Sequence, residues 1–147
     1  VLTGKNGVIP EPQIVTKAED VIKCASTKYM AAPVISALNQ GTKEGYEKIG
    51  IVGTACQLTA AGQIKCNPLK KDNFKDTTAL TVGVFCTWAL DTREFMDFLT
   101  ERVDISTITG MDVPPPPAET FIIKTTDKTI EIPLSEIRTM VPKGCSL

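Results

Sequence analysis

The sequence predicts an α/β fold, in which a small mixed sheet with flanking helices is followed by a C-terminal β-hairpin segment. Two apolar runs favour this fold because each is typical of a strand that ends in a tight turn, at 48–53 and 79–85. The first run leads directly into a helix pattern at 55–65, which completes half of a βαβ unit. Two β-rich segments around a polar turn, 120–125 and 129–133, predict the hairpin.

The other elements follow in chain order from capping residues, apolar periodicity and breakers. A short strand over 1–8 precedes a turn around Glu11, which has a proline on either side. Thr16 and Glu19 match a capping box for the next helix, and Asp91 or Thr92 can cap a later one. Helices with a recognisable apolar face are predicted at 16–25, 32–40 and 92–103, and a short helix started by Ser135 is predicted at 134–141. The connections are a solvated loop at 68–76 and a segment with possible strand at 104–113.

The chain divides at a stiff run of four prolines. With 147 residues it is close to the usual size of one domain. An α/β portion at 1–112 and a hairpin portion at 118–147 are therefore expected to be two parts of the same domain.

Composition excludes several classes of protein. Lys and Arg number 16 against 17 Asp and Glu, a net charge of −1, which argues against nucleic-acid binding. The sequence has no apolar run long enough to span a membrane and no signal-peptide pattern. Histidine is absent, which excludes Ser-His-Asp and Cys-His catalysis and His metal sites. Five cysteines without a CxxC spacing favour a reducing compartment, the cytoplasm, over a disulfide framework.

Two of these cysteines follow the two predicted strands. Cys56 and Cys86 each come after a strand, and in open α/β sheets the carboxyl ends of parallel strands form the ligand crevice. Gly53 would let the backbone approach a ligand, and the start of the next helix would stabilise a thiolate. The alternative is that the thiols simply pack as small apolar groups, which is what we expect of Cys24 and Cys66.

The polar segment Ser26-Thr27-Lys28-Tyr29 lies between two predicted helices. Its lysine and hydroxyls could hold a phosphate, although an exposed polar loop has the same composition. Trp88 could stack on a ring system or lie in the core.

Taken together, four motifs in order resemble a known family. They are Ser26 to Tyr29 with the helix that follows, Lys48 to Gln57, Gly83 to Thr87, and Ile132 to Cys145. The sequence is similar to the beta subunit family of coenzyme F420-reducing hydrogenase, which includes the beta subunit of F420-dependent formate dehydrogenase. The resemblance implies an iron–sulfur flavoprotein subunit that uses FAD and a 4Fe-4S cluster to reduce or oxidise coenzyme F420 as substrate. Its implied partners are the other subunits of a hydrogenase, formate dehydrogenase or similar redox complex.

The resemblance also implies which residues form the site. It assigns cluster ligation to Cys56, Cys86 and Cys145. The residues that it places at the cofactor are Ser26, Lys28, Tyr29, Gly53, Thr54, Gln57 and Thr87. The candidates for holding the acidic tail of F420 are Lys28, Lys65, Lys70 and Lys71. No catalytic side chain is assigned, because the flavin would carry the hydride chemistry.

The sequence departs from the family pattern at three places. Ala55 stands where the family has proline, Trp88 stands where it has glutamate, and in the first motif either one residue is inserted or Thr27 replaces the serine. The family's last motif has another cysteine three residues after Cys145, one position beyond Leu147, so a fragment is expected.

Two other functions stay open at this point. One is a non-catalytic α/β scaffold or adaptor module of a redox complex, with structural cysteines. The other is a thiol enzyme with Cys56 as nucleophile, activated by a helix start and a lysine.

Overall fold

A computed structural model describes residues 1–70, 72 and 74–145. The chain forms two compact units. The first consists of Val1–Lys5, Pro10–Ala25 and Ala32–Cys86. The second consists of Asn6–Ile9, Ser26–Ala31 and Thr87–Leu147. Within the long C-terminal stretch, the change from the first unit to the second comes after Cys86.

The structure confirms the mixed α/β class and nearly all of the predicted elements. The helices are α1 (Ala18–Lys23), α2 (Val34–Lys43), α3 (Ala55–Lys65), α4 (Thr92–Thr100) and α5 (Leu134–Arg138). The strands are β1 (Leu2–Asn6), β2 (Ile9–Gln13), β3 (Ile49–Thr54), β4 (Thr78–Val84), β5 (Ile108–Asp112), β6 (Thr120–Thr125) and β7 (Thr129–Pro133). Among the described helices, none has the length and apolarity that crossing a bilayer requires.

The first unit is built on the parallel pair β3–β4. Alternate residues of β3, Ile49 and Ile51, are buried in a cluster with Val34 and Leu38 of α2 and Ala61 of α3. Both helices therefore cover the same face of the sheet, because alternate side chains of a strand point to the same side. The predicted strand at 48–53 is thus present as β3, buried at alternate positions.

The second unit has a more extensive core. Its sheet is antiparallel in the order β5-β6-β7, and the predicted hairpin has the predicted bounds. Phe121 and Ile123 of β6 are fully buried against Phe95 and Leu99 of α4 and Ile137 of α5. The helical periodicity of apolar residues in α4 predicted the face that is buried. Asp91 is the N-cap of α4, and its side chain accepts hydrogen bonds from N–H groups of the first turn.

Two local predictions at the amino-terminal end were wrong. The segment around Glu11 is not only a turn but the strand β2, which pairs with β1. Its prolines are tolerated because β2 is an edge strand, where missing N–H donors cost little. The helix predicted from Thr16 begins at Ala18, after Lys17, without a side-chain cap, and both Val21 and Ile22 are exposed.

Candidate functional site

The carboxyl edge of β3–β4 brings two cysteines to one end of the sheet, as the sequence predicted. Thr54 pairs with Val84 at the end of the parallel ladder. Cys56 and Cys86 each lie two residues beyond that pair, and both are exposed. Because the strands are parallel, their carboxyl ends share an edge, which is where open α/β sheets bind ligands.

The turn before Cys56 is held by side-chain hydrogen bonds. Thr54 is the N-cap of α3 and forms a capping box with Gln57. The Thr54 N–H donates to Gln57 Oε1 at 2.9 Å, and Gln57 Nε2 donates to the carbonyl oxygen of Ala32 at 2.7 Å. The Thr54 hydroxyl lies 3.2 Å from Cys56 Sγ. Gln57 therefore ties the start of α3 to the segment before α2.

The glycines of the pair serve helix packing. Gly53 and Gly83 lie opposite each other in the ladder. A β-carbon at Gly53 would come within 3.0 Å of Gln57 Oε1, and one at Gly83 would lie 3.5 Å from Leu58. Side chains of α3 therefore lie beside both glycines, where an added β-carbon would meet them.

The polar segment that could hold a phosphate belongs to the second unit. Lys28 Nζ donates to the Ser26 hydroxyl at 2.6 Å and to the Ser26 carbonyl oxygen at 2.9 Å. The ring of Tyr29 is buried, with its centroid 4.9 Å from that of Phe121 in an edge-to-face contact. Burial raises the pKa of Tyr29, and the carboxylate of Asp112 raises it further. Trp88 is partly buried and packs against this same core.

The remaining cysteines have different surroundings. Cys24 is buried and its thiol donates to Gln13 Oε1 at 3.6 Å, which confirms its structural role. Cys66 is exposed at the C-cap of α3, so the expectation that it packs as a small apolar group was wrong. Cys145 is half-buried in the second unit, after α5. Thr87, also in the second unit, is exposed next to Cys86 in the chain.

The predicted lysines for an acidic tail are divided between the two units. Lys28 belongs to the second unit, and Lys65 and Lys70 belong to the first. Lys65 forms an ion pair with Asp76 at 3.3 Å, so part of its charge is compensated within the chain. Lys71 lies outside the described residues.

The type of side chain at the sheet edge suits an iron–sulfur cluster, but the number of such side chains close together does not. Exposed thiols suit iron–sulfur ligation, which uses cysteine thiolates. Within the ranges 1–70, 72 and 74–145, however, no three Cys, Asp or Glu side chains are close enough to hold a metal ion. The described residues therefore place exposed thiols at the sheet edge, without a group of three candidate ligands.

Sequence reasoning missed the residues that support the turn. Ala32 contributes only a backbone carbonyl, and Leu58 only an apolar side chain beside Gly83. Neither has a sequence signal, because any residue has a carbonyl and leucine is common on helix faces. The capping box was the one available signal, since Thr54 and Gln57 have the required spacing of three.

The parallel strand pair and the helices beside it place the chain among the α/β proteins, and exposed thiols follow both strands. A family model, that of the C terminus of the coenzyme F420 hydrogenase/dehydrogenase beta subunit, matches residues 46–147. The chain belongs to this family.

The chain is also similar to individual proteins whose names match this family. The coenzyme F420 hydrogenase subunit beta of Methanosarcina barkeri is 32% identical over 78 residues, 52% of this chain and 27% of the relative. The protein of the same name from Methanothermobacter thermautotrophicus is 24% identical over 147 residues, 98% of this chain and 51% of the relative. The chain thus spans about half or less of the length of these relatives.

A solved structure shares the fold. A chain of the F420-reducing [NiFe] hydrogenase complex from Methanosarcina barkeri matches with a TM-score of 0.80 and 23% identity. The match covers 98% of this chain and 50% of the solved one. Family membership identifies the chain as related to subunits of redox enzymes.

Proposed function

We propose that this chain is part of an electron-transfer oxidoreductase subunit that uses FAD and a 4Fe-4S cluster to reduce or oxidise coenzyme F420. The observation that supports this most is the position of Cys56 and Cys86, each two residues past the last pair of a parallel ladder. Both relatives named above are beta subunits of a coenzyme F420 hydrogenase. The partners that this function requires are the other subunits of such a redox complex.

The chain's own contribution would be ligation and positioning. Cys56, Cys86 and Cys145 would supply thiolates to the cluster, and further ligands would have to complete the set. When bound, the flavin and the cluster would supply hydride and single-electron chemistry. Thr54 and Gln57 hold the turn that presents Cys56, through the hydrogen bonds to the Thr54 N–H and the Ala32 carbonyl.

Cofactor contacts are proposed for the remaining candidates. Ser26, Lys28 and Thr87 present polar groups in the second unit that suit phosphate or ring oxygens. Tyr29 would contribute through its packing, because its ring is buried against Phe121. Gly53 would contribute backbone at the end of β3.

Iron and flavin content of anaerobically prepared protein tests this function. We expect a yellow-brown protein, with iron content lowered severalfold by Cys56→Ser and by Cys86→Ser. Cys66→Ser is the matched control, because Cys66 is another exposed thiol of the same unit but lies at the other end of α3. Iron-free protein after anaerobic reconstitution, or equal iron loss in the control, would contradict the proposal.

One observation favours a second candidate, the non-catalytic scaffold or adaptor of a redox complex. The described residues contain no group of three possible metal ligands. For a scaffold, both serine substitutions should leave electron transfer by the assembled complex unchanged. For a subunit that ligates the cluster, electron transfer should fall together with the iron content.

A further inference from the structure

The side chain of Thr54 lies against the sulfur of Cys56. Thr54 Oγ1 is 3.2 Å from Cys56 Sγ, which is close enough for a hydrogen bond to sulfur. Thr54 is the last residue of β3 and the N-cap of α3, so the strand and the helix both fix its backbone. Thr54 is half-buried, whereas Cys56 is exposed. The fold therefore sets the position of the hydroxyl group, while the thiol has solvent around it.

The capping box determines the direction of this hydrogen bond. The Thr54 hydroxyl oxygen accepts from the Gln57 N–H, which is one half of the box. A hydroxyl group can accept and donate at once, because it has two lone pairs and one proton. A cysteine that binds a metal does so as the thiolate, whose sulfur can only accept. When Cys56 binds a metal, Thr54 is therefore the donor.

We propose that Thr54 is a positioning residue for Cys56. Its hydroxyl group donates to the thiolate sulfur and holds that sulfur in the orientation in which it binds iron. Groups that hydrogen-bond to metal ligands orient those ligands, and hydrogen bonds to the sulfurs help to set the reduction potential of an iron–sulfur cluster. This role rests on the proposed function. It assigns Thr54 to a ligand of the cluster rather than to the flavin or to F420.

The two thiols at the sheet edge differ in this respect. Val84 has in β4 the place that Thr54 has in β3, because the two residues pair in the ladder and each precedes its cysteine by two positions. A valine side chain has no polar atom, so it cannot supply the corresponding hydrogen bond. Loss of the Thr54 hydroxyl group should therefore affect Cys56 and leave Cys86 unchanged.

Thr54→Val and Thr54→Ser test the proposal, because valine keeps the branched shape without the hydroxyl group and serine keeps the hydroxyl group. In iron-free, reduced protein, NMR couplings of the Cys56 β-protons report the rotamer of its side chain. We expect one dominant rotamer in the unmodified chain and in Thr54→Ser, and averaging over several rotamers in Thr54→Val. Thr59→Val is the matched control and should keep the dominant rotamer. The Thr59 hydroxyl also lies on α3 but donates to the Ala55 carbonyl oxygen.

Iron-loaded protein tests the consequence for ligation, in the preparations whose iron content tests the proposed function. Iron release to an excess of chelator should be roughly tenfold faster in Thr54→Val, and Thr54→Ser should restore the slow release. Pulsed EPR of the reduced cluster in D2O detects exchangeable protons near its ligands. One such coupling should be present in the unmodified chain and in Thr54→Ser and absent in Thr54→Val. Thr59→Val should match the unmodified chain in both measurements.

The outcomes separate this proposal from the proposed function. If the unmodified chain binds iron, averaged Cys56 rotamers in that chain, or equal iron release in Thr54→Val, overturn the role of Thr54 alone. Fast release in Thr54→Ser overturns that role too, because the hydroxyl group would then not be what retains iron. An unmodified chain that binds no iron overturns the proposed function and the role of Thr54 together.

Discussion

Two strands with similar sequence patterns, β4 and β6, have opposite surroundings. Both are runs of strand-forming residues with alternating large apolar side chains. In β6, Phe121 and Ile123 are fully buried, whereas Leu80 and Val82 in β4 are exposed. β6 has strands on both sides and helices over its face, and among the described residues β4 has one strand beside it.

The difference shows that composition determines whether a segment forms a strand, while its neighbours determine whether the strand is buried. A strand gains stability from burial only where another element covers it. Substitutions in β6 and β4 should therefore differ in cost even when the residue types are the same. Two pairs of variants test this difference, and two further sets test the turn before Cys56 and the start of β4, from the largest expected effect to the smallest.

Phe121→Ala should have the largest effect on stability. The Phe121 ring is fully buried and makes edge-to-face contacts with Tyr29 and Phe95 at centroid distances of 4.9 and 5.8 Å. Its removal should lower the free energy of unfolding by about 3–5 kcal/mol. Denaturant unfolding followed by Trp88 fluorescence measures this, because Trp88 packs against the same core.

Phe85→Ala is the matched control, because the Phe85 ring is fully exposed. It should change the free energy of unfolding by less than about 0.5 kcal/mol. Equal losses from both substitutions would contradict the comparison of β4 with β6.

Within the first unit, Ile51→Ala should be more costly than Val82→Ala. Ile51 is fully buried under α2 and α3, so its truncation should cost about 2–4 kcal/mol. Val82 lies in the neighbouring pair of the ladder and is 43% exposed, so its truncation should cost less than about 1 kcal/mol. Hydrogen exchange of the β3 amides reports both changes within the same unit. If Val82→Ala cost as much as Ile51→Ala, β4 would have to be covered in solution.

The parts of the fold with local signals were predicted well. Helix α3 and the strands β6 and β7 have the predicted bounds, because a capping box and a polar turn define their ends. The strand β2 was missed because its prolines disfavour strands, and only its pairing with β1 allows them at an edge. The exposure of β4 could not be predicted either, since it depends on which elements pack against the strand.

The candidate site likewise has a part that the sequence predicted and a part that it did not. The shared edge of Cys56 and Cys86 followed from parallel pairing, a rule that applies to strands joined by a helix. The link from Gln57 to the Ala32 carbonyl joins residues 25 positions apart and leaves no trace in the sequence. Sequence reasoning thus placed the thiols at one edge and could not identify what holds their turn.

Gln57→Ala tests that support and should have a moderate effect. It removes the acceptor for the Thr54 N–H and the donor to the Ala32 carbonyl. The free energy of unfolding should fall by about 1–2 kcal/mol, the usual cost of losing a cap and leaving a partner unsatisfied. Gln57→Glu is the control, because it keeps the acceptor and loses the donor. If both variants were as stable as the unmodified chain, the turn would not depend on Gln57.

The smallest expected effect concerns pH and the start of β4. The pKa of Asp76 is lowered, chiefly because the Thr78 N–H donates to its carboxylate, and also because Lys65 lies nearby. A carboxyl group whose pKa is lowered by folding stabilises the folded state above its unfolded pKa, and that contribution is lost as the pH falls through the folded value. The urea concentration at the unfolding midpoint should therefore decrease as the pH is lowered below about 4. This decrease should be less steep in Asp76→Asn than in the unmodified chain. Lys65→Gln should retain most of the slope, because the backbone hydrogen bond is the larger cause. If the urea midpoint had the same pH dependence in the unmodified chain and in Asp76→Asn, the Asp76 carboxylate would not stabilise the start of β4.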